Sequence, residues 1–332
     1  VPARRDNDSS TAVNGSSTDR RVAVTSPRPF REDTVALPDG RTLGFSEFGD
    51  PEGRPVLWFA GTPGGGRQIP PGTPELAQRL GLRIVSVERP GLGRSTHHPR
   101  RTLLSFAADV EVLVDAEGHE RVGLIGLSGG GPHVLSTAWH MPDRVVAGGV
   151  LGGLAPVSGD DVAYFNPLLH WALQRVHDLH VPLGEGLSRA VQPLLPVASH
   201  VFEVGIRLLP PIDRPVLSQP AMKAMFLDDL VDVARTGLRS IARDLAVFAK
   251  PWGFDVSEIR VPIRIWHGTA DATVPLAHGE WLAQRIPDAE LVTISGEGHF
   301  AGFTRTGDVL TTISAIWGDA HRDASGGDDG DR

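Results

Sequence analysis

Short apolar runs alternate with helical stripes along most of this chain. Residues 55–60, 82–87, 121–125, 145–151, 263–267 and 290–295 are strand-length apolar segments. Residues 41–48 alternate polar with apolar, as a half-exposed antiparallel strand does, and Asp39-Gly40 just before them is a hairpin signal. Between the runs lie helical stretches. These are 74–81 with a glycine stop, 102–116 with apolar residues at 103, 106, 110, 113 and 114, then 131–139, 277–286 and 309–317. Repeated strand–helix units predict an α/β fold: a mostly parallel sheet with helices on both faces.

The rhythm breaks between about 156 and 260. No strand pattern appears there. One helical stripe joins Leu168, Leu169, Ala172, Leu173 and Val176; a longer one runs Phe226, Leu230, Val233, Leu238, Ile241, Leu245, Phe248. Prolines 210, 211, 215 and 220 punctuate the middle. The pattern predicts a helical cap over 156–259 inserted into a core made of 32–155 and 260–320. Some of its apolar residues are expected to line a pocket, the rest to bury against each other. Residues 1–31 are polar and rich in Ser, Thr, Asp and Arg, without the apolar segment of a secretory signal, and residues 321–332 are Gly- and Asp-rich. Both read as disordered tails.

Composition narrows the function classes. A net charge of −8 argues against a general nucleic-acid binder. Cysteine is absent, so no disulfide, thiol nucleophile or cysteine-ligated metal can form. No apolar run is long enough to span a bilayer. These features fit a cytoplasmic protein acting on a small-molecule substrate; they leave the oligomeric state open. The thirteen histidines are scattered, with no H-x-x-x-H or H-E-x-x-H spacing, and no metal or cofactor is expected. His97-His98 reads as an exposed loop pair.

The chemistry concentrates in three places where a strand ends. Gly126-Leu127-Ser128-Gly129-Gly130 fits G-x-S-x-G between a strand and a helix. A serine on that turn has an exposed hydroxyl, and the helix N-terminus aims N–H groups at an oxyanion formed there. Serine needs a base oriented by a carboxylate. The strand at 263–267 runs into a turn carrying Asp271, and the strand at 290–295 runs into Gly296-Glu297-Gly298-His299. Singly, Asp271 could be a helix cap and His299 a solvated loop residue. Together, in the order Ser, Asp, His, they read as a catalytic triad. His267 reads as a support for the Asp271 turn. The Gly-rich loop 61–66 after the strand at 55–60 is the remaining element; it is not a phosphate loop, since no Gly-Lys-Ser/Thr follows. In this topology its Thr62 N–H and that of Gly129 form an oxyanion hole.

These landmarks, with 37–41 and Glu88-Arg89-Pro90-Gly91-Leu92-Gly93-Arg94-Ser95, make the chain resemble the α/β-hydrolase superfamily over about 33–318. The similar group includes proline iminopeptidases, small esterases and cofactor-free haloperoxidase-like enzymes. Two departures stand out. Ala60-Gly61 replaces the usual His-Gly, and Glu88 replaces the usual Asp, a position read as structural. The resemblance implies a serine hydrolase cleaving an ester of a small or medium hydrophobic substrate through an acyl-enzyme on Ser128. Serine at 128 separates the chain from relatives with an aspartate nucleophile. The alternatives are an iminopeptidase-like peptidase, needing a cap carboxylate such as Asp228, Asp229, Asp232 or Glu203 to hold an amino group; a perhydrolase; and, from another class, a ligand-binding or signalling protein on a hydrolase scaffold.

Overall fold

The computed structural model describes residues 26–158, 198–236 and 239–326. Eight strands form one sheet: β1 (Arg31–Ala36), β2 (Thr42–Gly49), β3 (Arg54–Phe59), β4 (Leu82–Val87), β5 (Val122–Leu127), β6 (Val145–Leu151), β7 (Ile263–Gly268) and β8 (Ala289–Ile294). Their order is β1-β2-β4-β3-β5-β6-β7-β8. The first two strands are antiparallel to their neighbours, and β4 through β8 are parallel. The continuous apolar runs are explained by burial on both faces. In β5, Val122 and Leu124 enter one core layer and Ile125 and Leu127 the other, the period-2 alternation of a strand.

Helices α1 (Thr73–Arg79), α2 (Leu103–Ala116) and α3 (Gly131–His140) follow β3, β4 and β5. Phe106, Val110 and Leu113 of α2 and Val134, Leu135 and Ala138 of α3 fill the first layer. Between β6 and β7 the described residues hold helices and no strand: α4 (Ala198–Leu208), α5 (Arg214–Leu217), α6 (Pro220–Thr236) and α7 (Arg239–Phe248). The stripe 226–248 is thus carried by two helices rather than one. The stripe at 168–176 lies outside the described residues. Helices α8 (Ala277–Arg285), α9 (Ala301–Thr304) and α10 (Thr306–Gly326) complete the chain. From α10, Val309, Leu310, Ile313 and Trp317 join α1 in the second layer.

Several details depart from the expected pattern. Strand β2 is buried from Leu43 to Phe48 rather than half exposed, because both its faces are packed, with Leu43 and Phe45 in one core layer and Phe48 in the other. Its Glu47 is kept underneath by Arg83 and Arg31. Order begins before residue 32: the Phe30 N–H already bonds the Glu47 carbonyl at 2.9 Å, and β1 starts at Arg31. The closing helix continues to Gly326, into the segment read as a tail from 321. Residues 319–325 contain no proline or glycine to stop it. His97 and His98 are half-buried, not exposed.

Candidate active site

Ser128 opens a single 3-10 turn, Ser128–Gly130, that joins β5 to α3. It has φ +50°, the one non-glycine residue with positive φ among the described residues. A left-handed serine costs about 1–3 kcal/mol and persists only where its surroundings enforce it. Here they do, by close packing. A Cβ on Gly130 would lie 2.1 Å from the Phe59 carbonyl oxygen, and one on Gly126 would lie 2.5 Å from that of Gly130. The chain can make this turn only without side chains at those two positions. Pro132 near the start of α3 has no N–H, which removes one of the first-turn donors that would lack an intrahelical partner.

Asp271 follows β7 and His299 follows β8. His299 Nδ1 lies 2.7 Å from Asp271 Oδ2, a bond that orients the ring. The other carboxylate oxygen, Oδ1, accepts the N–H groups of Thr273 and Val274, both at 2.8 Å. Burial alone would raise the Asp271 pKa, but hydrogen bonds from His267 and His299 hold it well below the usual carboxylate range. His267 Nε2 is 2.8 Å from the Val274 carbonyl, so it braces this turn from behind. Gly152, at the end of β6, passes so near that a Cβ there would sit 3.4 Å from His299 Nδ1.

Ser128, His299 and Thr62 line one cavity of about 370 Å³. Its walls are mostly apolar, with Phe202, Ile206, Leu217 and Phe226 from the inserted helices. Gly129 lies against Thr62, since a Cβ on it would be 2.6 Å from Thr62 Oγ1. All five residues expected at the site therefore converge on one end of the parallel sheet, where strand ends gather loops.

Sequence reading missed what holds the loops. Arg89 is fully buried and donates to three carbonyls of the 60–64 loop: Ala60 at 2.5 Å, Gly61 at 2.9 Å and Gly64 at 2.8 Å. Gln68 Oε1 accepts the Gly61 N–H at 2.7 Å, and its Nε2 donates to the Pro63 carbonyl at 3.0 Å. Together they do the bracing that the absent histidine at position 60 would have been expected to provide. Three buried aspartates from the inserted helices then tie that segment to the loops. Asp244 pairs with Arg89 at 2.9 Å and with Arg101, and accepts the Thr62 hydroxyl at 3.2 Å. Asp229 accepts the N–H groups of Gly65 and Arg67 at 3.0–3.1 Å. Asp213 accepts the N–H of Phe300 at 3.2 Å, next to His299. Burial pushes the Asp229 pKa up to about 7, against these hydrogen bonds, and raises that of Asp213. Arg89 sits in a motif visible in the sequence; the aspartates sit on acidic helices and carry no local signal.

Three of the four carboxylates considered as amine ligands are otherwise engaged. Asp229 is spent on the loop, Asp228 faces Arg67 at 3.5 Å, and Glu203 bonds Lys223. None of these, nor Asp232, lines the cavity. Glu88 is buried and holds the backbone and side chain of Arg94, the structural role its position suggested. Among the described residues no group of three or more His, Asp or Glu is arranged to hold a metal ion. No helix among them is long and apolar enough to cross a membrane.

Known proteins agree with this architecture. A pimeloyl-[acyl-carrier protein] methyl ester esterase from Aromatoleum aromaticum is 44% identical over 65 residues, a match spanning 20% of this chain and 26% of that protein. A 2-hydroxy-6-oxo-6-phenylhexa-2,4-dienoate hydrolase from Comamonas testosteroni is 29% identical over 229 residues, covering 67% of this chain and 72% of the relative. The crystal structure of a hydrolase from Pseudomonas aeruginosa PA01 superposes with a TM-score of 0.65 at 20% identity, covering 87% of this chain and 99% of the other. The family model for the alpha/beta hydrolase fold matches residues 54–306. With its eight-stranded sheet and the matched span running from β3 to the start of α10, the chain belongs to the alpha/beta hydrolase family.

Proposed function

We propose that this protein is a serine esterase with Ser128, His299 and Asp271 as its triad, Thr62 and Gly129 as its oxyanion hole, and the helices between β6 and β7 as its cap. The observation that carries the reading is the 2.7 Å bond from His299 to a buried Asp271, with His299 and a left-handed Ser128 facing one apolar cavity. Ser128 Oγ attacks the acyl carbon while His299 Nε2 takes its proton. The Asp271 carboxylate, already ionised, keeps the Nδ1–H tautomer and stabilises the imidazolium. The developing oxyanion meets the Thr62 and Gly129 N–H groups, each worth on the order of 3 kcal/mol. His299 passes its proton to the departing alkoxide, and water repeats the sequence on the acyl-enzyme.

An ester is favoured over a peptide with a free amino group because none of the candidate amine-binding carboxylates lines the cavity. Purified protein is expected to hydrolyse p-nitrophenyl butyrate, and Ser128→Ala to remove at least 10³-fold of kcat/KM with an unchanged melting temperature. Equal turnover by a folded Ser128→Ala variant overturns the reading.

A further inference from the structure

Ser128 stands between two cavities, not beside one. The cavity of about 370 Å³ lies on the side of His299 and Phe300. A second, of about 150 Å³, is lined by Leu154, Ala155, Val157, Leu245, Phe248 and Val274. Ser128, Thr62 and Thr273 border both. His299 borders only the larger, and Gly129 only the smaller.

This division assigns the two halves of an ester, given the proposed acyl transfer at Ser128. When Ser128 Oγ bonds the carbonyl carbon, the carbon–alkoxy bond breaks and the alkoxide oxygen takes the proton that His299 carries. That oxygen must lie within reach of His299, so the alcohol portion occupies the cavity His299 lines. The acyl chain leaves the same carbon in another direction, past Gly129 and into the smaller cavity. Volume then sets the limits. An apolar cavity of 150 Å³ accommodates about six heavy atoms, the size of benzene, whereas about 370 Å³ lies in the range of pockets that bury larger ligands. Phe248 lines the small cavity beside Gly129, on which a Cβ would lie 3.0 Å from Phe248 Cε2, and is itself buried against His133. Phe202, Phe226 and Phe300 pack on one another along the large one.

We propose that the enzyme is selective for short-chain acyl esters, up to about six carbons, of bulky apolar alcohols. The selectivity rests on the serine-esterase reading and goes beyond it, since that reading alone permits the reverse arrangement.

The test is a matrix of esters assayed on the intact chain. One series holds 2-phenylethanol constant and lengthens the acid from acetate through butyrate and hexanoate to decanoate. The other holds butyrate constant and compares ethyl with 2-phenylethyl, alcohols of similar acidity. The expected kcat/KM falls at least tenfold from butyrate to decanoate and is at least tenfold higher for 2-phenylethyl than for ethyl butyrate. Leu245→Ala and Phe248→Ala, which widen only the small cavity, shift the acyl optimum to longer chains; Leu245 is half-buried, so its variant keeps the test available if Phe248→Ala does not fold. Decanoate turned over as well as butyrate, or ethyl preferred to 2-phenylethyl, overturns the assignment while a fluorophosphonate still labels Ser128. A folded protein with neither turnover nor labelling removes the assignment together with the esterase reading.

Discussion

Asp271 shows how far a single carboxylate can determine a site. Its Oδ1 is held by two backbone N–H groups, so only Oδ2 faces His299. Asn at 271 would have to keep its carbonyl oxygen on the backbone side and turn its NH₂ toward His299 Nδ1. The ring would then carry its proton on Nε2, the wrong atom for a base. Asp271→Asn is therefore expected to lower kcat by about 10⁴-fold with little change in melting temperature, read by steady-state kinetics beside a thermal scan. A loss of less than tenfold would mean that His299 is not oriented through Asp271.

The same scale holds the titration of Asp229. Its pKa rises from an ordinary 3.8 to about 7 in the fold, chiefly by burial, with Asp232 adding to the rise and Gly65, Arg67 and Arg89 opposing it. The native state thus holds a proton that the unfolded chain has lost between about pH 4 and 7. The sign follows: this group favours the fold on the acidic side, and its contribution disappears as pH rises through about 7. Asp229→Asn keeps an oxygen for both loop N–H groups and cannot ionise. Denaturant unfolding from pH 5 to 8 is expected to show wild type losing stability relative to Asp229→Asn, on the order of a few kcal/mol. Parallel curves would place the carboxyl outside that range.

Among elements, the important contacts join the inserted helices to the loops that carry the proposed catalytic residues. Each of three helical regions supplies a buried aspartate: Asp213 before α5, Asp229 within α6 and Asp244 within α7. One reaches the His299 loop, one the 65–67 backbone, and one the Arg89 brace under Thr62. Removing Asp244 strands two buried guanidinium groups. Asp244→Ala is expected to lose about 3–5 kcal/mol of stability and, in whatever fraction stays folded, to lower kcat more than it alters KM, because the Thr62 loop loses its anchor. Chemical denaturation and kinetics at permissive temperature measure both; an intact unfolding midpoint contradicts this account of the brace. On the proposed reading the described helices between β6 and β7 are stitched to these loops, and the substrate must fit the space beside them.

At the scale of the whole molecule, the parallel sheet gathers Thr62, Ser128, Asp271 and His299 from the ends of four strands. That much was legible, since each residue follows an apolar run and sits in a glycine-rich turn, a pattern carried by neighbouring residues. The braces were not legible for the opposite reason. Asp229 and Gly65 are 164 residues apart, Arg89 and Asp244 155, Phe300 and Asp213 87. Nothing in an acidic helix face distinguishes the aspartate that turns inward from the one that meets water. The two-sided division at Ser128 was hidden likewise, because its walls come from the segment after β6 and from α4, α5, α6 and α7 together. Burial of β2 escaped detection because Ser46 and Glu47 look like solvent-facing positions until Arg94 reaches Ser46 and Arg31 and Arg83 cover Glu47.

The central claim is covalent chemistry at Ser128, and its most direct test is the mass of the modified protein. Incubation with a fluorophosphonate followed by peptide mapping should place one adduct per chain on the peptide containing Ser128, with ester hydrolysis falling in proportion to labelling. An enzyme that hydrolyses esters while Ser128 stays unmodified, or that is inactivated by an adduct elsewhere, would contradict it.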